Sequence, residues 1–298
     1  MATITTGTND FPAELVTDVF SKVKGHSSLA LLSAQKPIPF AGQDMFVFTM
    51  DGEASIVGEG LEKPAGEAEK TVVTIRPIKF VYQHRLTDEF LKMADEKQLD
   101  YLRVFSDGFA KKMGRALDIA AFHGVNPYDG TASDSVGSNC FDTACAENVV
   151  TYDSSTPDDN IDDAVQIIQV NDGIITGIAM STAFGAALGA MKSSTENIPI
   201  YPEFRFGANP GSFGGMKSDV NNTVSFGSST DRAIVGDFEN AFRWGYAENI
   251  PLEVIEFGDP DGLGDLKRLN QVCLRAEAYI GWGILDADSF ALIQEASE

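Results

Sequence analysis

The sequence predicts an α+β fold: a mixed body of strands and helices from which an arm and a long two-stranded excursion extend. Three observations predict it. Strand-like and helix-like segments follow one another without the strand–helix–strand rhythm of a parallel sheet. An apolar stripe in the first half of the chain has the spacing of one very long helix. Between two strand-like segments, residues 52–69 read GEASIVGEGLEKPAGEAE, with four Gly and five Glu and no periodicity that a helix or strand could use. A loop of this kind is either functional or disordered.

Along the chain, the start MATITTGTNDFPAEL is Thr-rich and poor in apolar residues, which suggests an arm. Leu15, Val16, Val19, Phe20 and Val23 then recur at helical spacing, with Gly25 as a stop. Residues 45–50, MFVFTM, and the alternating TVVTIRPIKF from Thr71, which carries on past Pro77 to Ile78 and Phe80, read as the two strands flanking the Gly/Glu stretch. A lone two-stranded hairpin is marginal in water, so something else must hold it. From about residue 96 to 124, Leu99, Leu102, Phe105, Phe109, Met113, Leu117 and Ala120 lie three or four apart, no proline intervenes, and Gly124 supplies a stop. At 1.5 Å per residue this spine helix is roughly 40 Å long.

The polar segment NPYDGTASDSVGSNCFDTACAEN offers few packing residues. After it, STPDDNIDDAVQIIQV reads as a capped helix, and GIAMSTAFGAALGAMKSS as a strand ending near Met180 with Ser181 capping a small-residue helix that reaches Lys192. A Gly-rich turn, then RAIVGDFENAFRWGYAENIPLEVIEF and the imperfectly alternating LNQVCLRAEAYIGWGIL, complete the body.

Composition narrows the function. The 298 residues suffice for one large domain or two ordinary ones. Opposing 22 basic with 44 acidic residues gives a net charge of −22, which argues against a protein that grips nucleic acid by neutralising phosphates. Three cysteines and the lack of any secretory or membrane-spanning apolar run suggest a soluble, thiol-reduced protein, with no membrane partner expected. His26, His84 and His123 share no metal-ligand spacing with one another or with the cysteines, so no metal and no cofactor are expected.

Motifs with chemical potential each have a plainer reading. GSFGGMKS (211–218) approaches a phosphate loop, but Met216 interrupts it and no amphipathic helix follows, so a turn is expected. GDPDGLGDL (258–266) places Asp259, Asp261 and Asp265 near one another but misses the calcium-loop spacing and its terminal Glu, so an acidic surface turn is expected. No nucleophile motif occurs, and His123 is read as a contact at the helix C-terminus rather than a base. No catalytic residue is assigned; an enzyme or binding domain using the turn near Gly211 would show nucleotide-dependent stabilisation. What the residues offer instead is an arm and a hairpin that find their partners on neighbouring subunits.

In order along the chain, several segments resemble those of the major capsid proteins of tailed bacteriophages, the HK97-fold family. LVTDVFSKVKGHSSLALLS is similar to the family's arm and helix, and ASIVGEGLEKPAGEAEKTVVTIRPIKFVYQHRLTDEFL to its extended loop and return strand. LDIAAFHG resembles the end of the spine helix, GIAMSTAFGAALGAMKSS a strand and helix of the axial domain, AIVGDFENAFRWGY the Gly-Asp-Phe segment, and LRAEAYIGWGILDADSFALI the closing strand and tail.

The resemblance implies an N-terminal arm and short helix over 1–44, an extended loop over 45–80, a peripheral domain over 81–155 with the spine helix, an axial domain over 156–266, and over 267–298 the peripheral return strand and C-terminal tail. It also implies hexamers and pentamers closing an icosahedral or prolate shell around phage double-stranded DNA held without sequence-specific contacts, in a virion assembled in the bacterial cytoplasm with a portal protein. The arm begins almost at Met1, so scaffolding, if needed, and any decoration would come from separate proteins. Gly52, Gly58, Gly60 and Gly66 are the hinge candidates of the loop. Glu59, Glu62, Lys63, Glu67, Glu69 and Lys70 are its candidates for intersubunit ion pairs, each worth about 0–1 kcal/mol if exposed. Some family members join a loop Lys to a neighbour's Asn. Lys63 and Lys70 could supply the amine, but no Asn follows Asn270, so noncovalent assembly is expected. The alternative within the same fold is an encapsulin-like compartment shell, which a cargo peptide would reveal.

Overall fold

The apolar pattern of the spine sets the frame. In the computed structural model, which describes residues 27–51, 54–60, 62–63, 65, 67–89, 95–247 and 252–296, with backbone alone for 49–51, 67–69 and 95–101, the elements run as follows. Helix α1 (Ser28–Leu32) precedes strands β1 (Gln43–Asp51), β2 (Glu67–Ile75) and β3 (Ile78–Thr87), then helices α2 (Asp95–His123) and α3 (Phe141–Ala144). Strand β4 (Val149–Thr151), helix α4 (Pro157–Val170), strand β5 (Gly177–Met180) and helix α5 (Thr182–Ala190) follow. The remaining strands are β6 (Ser212–Phe213), β7 (Met216–Val220), β8 (Asp231–Gly236), β9 (Phe242–Tyr246), β10 (Leu252–Ile255), β11 (Gln271–Ile284) and β12 (Phe290–Gln294). The helix expected around Leu15–Val23 lies outside the described residues.

Helix α2 is the predicted spine. Leu102, Phe105, Phe109, Met113, Leu117 and Ala120 are all buried, and Gly124 ends the helix at φ +67°, with its N–H on the Ala120 carbonyl at 3.0 Å. The stripe lies in one core with Phe80 of β3 and Leu274, Ala276 and Ala278 of β11. Strand β11 is the hinge of its sheet, pairing β3 and β10 along its first part and β9 along its last.

The second sheet has the order β4-β12-β8-β5-β7-β6. Its central strands are buried on both faces, and their period of two divides their residues between two cores. Ala233, Val235, Ala291 and Ile293 pack under α4 and α5, whereas Ile234, Phe290 and Leu292 face the spine core. That double burial is why ALIQ and AIVG show no polar alternation.

Several expectations change against this architecture. The run Thr71–Phe80 is two strands, because Pro77 has no N–H for a ladder and holds the preceding residue extended; β2 stays with β1 while β3 enters the spine sheet. The capped helix α5 stops at Ala190, short of Lys192, although Ser181 does accept from the Phe184 N–H at 3.2 Å. The segment 267–298 is not one strand with a tail: β11 belongs to the spine sheet, and β12 is an inner strand of the six-stranded sheet because both of its faces are apolar. Strand β4, expected with the peripheral part, joins β12 there in parallel.

The polar segment after the spine also hides core. Phe141 is fully buried, with ring centroids of Phe290, Phe242, Phe122 and Phe238 at 4.9, 5.5, 5.7 and 6.0 Å. The Gly-Asp-Phe segment is explained residue by residue. A side chain at Gly236 would lie 2.3 Å from the Phe290 ring, Asp237 caps the next turn by accepting from the N–H of Glu239 and Asn240, and Phe238 fills the core.

Candidate functional site

Strands β1 and β2 pair antiparallel from Gln43↔Ile75 to Asp51↔Glu67, a ribbon that pairs with no other strand among the described residues. Because side chains alternate, Phe46 and Phe48 share a face with Val72 and Lys70, and that face is open: Phe46 is 63% exposed, Phe48 61% and Val72 49%. The Lys70 ammonium sits 3.8 Å from the centre of the Phe46 ring, a cation–π contact within the chain. At the turn, Ile56 is fully exposed. Clustered exposed apolar side chains of this kind mark an interaction surface.

Among the described side chains, the opposite face rests on the body at its base. Ile75 is fully buried over β11, where a side chain at Gly283 would come within 2.8 Å of it and one at Gly281 within 3.2 Å. Alongside, residues 36–38 dock on β9: Lys36 N–H donates to the Trp244 carbonyl at 2.9 Å, and Gly245 comes so close to Lys36 that a Cβ would lie 1.7 Å from its carbonyl oxygen. The broken alternation of AYIGWGIL thus has a cause. Gly281 and Gly283 make the seat, while Trp282 turns to the other face and donates to the Asn139 carbonyl at 2.9 Å.

Of the residues singled out in the loop, Gly58, Glu59, Gly60, Glu62 and Lys63 are all exposed. Gly60 has φ +81° with open space around it. Glu67 and Glu69 lie on β2 opposite Asp51 and Thr49, and Gly52 and Gly66 are outside the described residues.

Three polar centres tie the body together, each completed by residues distant in sequence. Asp118, fully buried on α2, accepts from Ser27 Oγ, from the Ser28 and Leu29 N–H at 2.9 and 3.3 Å, and from Thr223 Oγ1 at 2.9 Å. It caps the N-terminus of α1 from a distant helix. Burial raises its carboxyl to about 6, with these hydrogen bonds pulling the other way.

The acidic loop 258–266 is closed around a cation that the chain itself provides. Arg85 Nε donates to Asp261 at 2.9 Å, and Nη2 to Asp259 Oδ1 at 3.1 Å and the Gly264 carbonyl at 2.8 Å. This arginine holds Asp261 below the ordinary carboxyl range. The turn is therefore internally paired rather than a plain acidic surface. The Gly-rich segment 211–218 is the β6–β7 hairpin, with Gly214 and Gly215 both at positive φ between Phe213 and Met216.

His123 does not bond the last carbonyls of its own helix, as expected of a terminal contact. The fold brings the 223 segment, α3 and β8 to it: Nε2 lies 3.0 Å from the Thr223 carbonyl, and Nδ1 lies 3.0 Å from Asp142 Oδ2 and 3.3 Å from Asp231 Oδ2. Burial alone would lower the ring's pKa, but the two carboxylates raise it to about 10.

The sequence model of the phage capsid family matches residues 7–294, and the chain belongs to that family. It is a structural protein of a phage capsid, and its fold is the α+β HK97-like capsid fold. A solved structure from Mycobacterium phage Ogopogo is 33% identical with a TM-score of 0.78, covering 91% of this chain and 92% of that one. One from Gordonia phage Cozz is 25% identical with a TM-score of 0.75, covering 92% and 87%. The capsid of a native GTA particle is 14% identical with a TM-score of 0.57 over 100% and 95% of the two chains, a likeness of fold. No significant match was found among curated proteins.

Proposed function

We propose that this chain is the major shell subunit, assembling noncovalently through hexamers and pentamers into an icosahedral or prolate capsid around double-stranded DNA, with the β1–β2 ribbon laid over a neighbouring copy. The observation that carries the proposal is the ribbon's outer face: Phe46, Phe48 and Val72 are exposed on an element whose base is seated on its own body. In this reading residues 1–44 are the arm and 45–80 the extended loop. Strands β3 and β11 with α2 form the peripheral domain, and most of 156–266 with β12 the axial domain. Gly58 and Gly60, with Gly52 and Gly66, are the hinges, and Glu59, Glu62, Lys63, Glu67, Glu69 and Lys70 set the ribbon's register on its neighbour.

The net charge of −22 fits a wall that faces packed DNA without binding its phosphates tightly. A portal protein completes the assembly, with separate scaffolding or decoration proteins where the shell needs them. The phage relatives favour this reading over a compartment shell with protein cargo.

Analytical ultracentrifugation and negative-stain electron microscopy of the purified chain test it. Shells, or discrete pentamers and hexamers, are expected, and deletion of 52–69 removes closed shells while the body stays folded. A chain that remains monomeric both alone and with a co-expressed scaffold would overturn the proposal.

A further inference from the structure

We infer that His123, Asp142 and Asp231 form a binding site for one divalent transition-metal ion of the zinc type, which pins the end of the spine helix to α3 and to the six-stranded sheet. Each residue turns one ligand atom toward the others, all within 4.8 Å. The Nδ1–carboxylate separations of 3.0 and 3.3 Å are close to the roughly 3.3 Å between ligand atoms that bonds of about 2.0–2.1 Å give around a tetrahedral ion.

Two further observations point to a cation. Asp231 is fully buried, and its Oδ2 faces His123 Nδ1 at 3.3 Å as an ion-pair contact while making no hydrogen bond among the described residues; Asp142 Oδ1 is likewise buried and without a hydrogen bond. The outer shell that orients metal ligands is already in place. Thr223 offers its carbonyl to Nε2 at 3.0 Å, which puts the ring proton there and leaves Nδ1 to the metal, and the Gln294 amide donates to Asp231 Oδ1 at 2.7 Å.

Charge and access agree with this. With Nδ1 as a ligand, the two carboxylates bring two negative charges that a divalent ion neutralises, and any proton on Nδ1 leaves to solvent as the ion binds. The Asp142 side chain, 31% exposed, opens a path for the ion and for a water as fourth ligand. The three residues come from distant parts of the sequence, which is why no ligand spacing is visible there.

The test titrates the chelator-treated full chain with Zn²⁺ by calorimetry and with Co²⁺ by visible absorption, beside Asp142→Asn and Asp231→Asn. One saturable equivalent per chain is expected, with the absorption bands of a four-coordinate cobalt site, and each variant weakens it at least about tenfold. Circular dichroism checks that the variants are folded; if Asp231→Asn is not, the more exposed Asp142→Asn decides. No saturable one-to-one binding would overturn the assignment. So would binding unchanged in a folded Asp142→Asn chain, which would place the ion elsewhere on the acidic surface.

Discussion

Asp118 holds together segments remote in sequence: α1, the spine helix and the 223 segment. Removing it orphans two buried N–H groups and two hydroxyls, so Asp118→Ala is expected to cost about 3 kcal/mol or more in chemical unfolding. Its titration adds a signed prediction. Its folded value of about 6 exceeds the ordinary 3.8, so between them the folded chain retains a proton that the unfolded chain has lost. The contribution of Asp118 is therefore full below about pH 4 and is lost as the pH rises through about 6. The non-titrating Asp118→Asn should trail the wild type by more at pH 4 than at pH 7 in urea unfolding. An equal gap at both pH values would refute this.

At the scale of elements, close approaches and internal pairing carry the consequences. Gly245→Ala would set a methyl 1.7 Å from a backbone oxygen that no rotamer change can move. It is expected to destabilise by more than about 3 kcal/mol and to release residues 36–38, seen as faster amide exchange at Lys36 and Ile38. Arg85→Ala leaves Asp259 and Asp261 facing each other without their cation, and protease cleavage within 258–266 should rise while the spine core stays protected. These elements also show what could be read in advance. The spine was legible because its apolar residues repeat every three or four positions, and the ribbon because its strands alternate and its turn is Gly- and Glu-rich. Phe141 was not, because a lone aromatic among polar residues is recognisable as core only once Phe238, Phe242 and Phe290 converge on it. Nor was β12, whose two-sided burial erases alternation. The His123 centre and the Asp118 cap depend on residues that only the tertiary fold brings together.

For the molecule as a whole, folding and assembly should separate experimentally. Phe46 and Phe48 are more than half exposed, so Phe46→Ser with Phe48→Ser should change protomer stability by no more than about 1 kcal/mol per site, the Lys70–Phe46 contact included. Closed shells should nevertheless be lost, as sedimentation and microscopy would register; intact shells from the double variant would remove the ribbon face from the interface. The glycine seat beneath the ribbon has a mechanical consequence. With only hydrogen atoms at Gly281 and Gly283 under it, Ile75 lies directly against the backbone of β11, beside Val73 and Met45, and this base is the ribbon's point of support. A nine-residue strand rising about 3.3 Å per residue carries the turn roughly 30 Å from that support, so a tilt of about 10° at the base swings it by roughly 5 Å. In the assembly proposed above the ribbon would act as a lever, a small pivot at its fulcrum letting one folded body reach neighbours set at different angles.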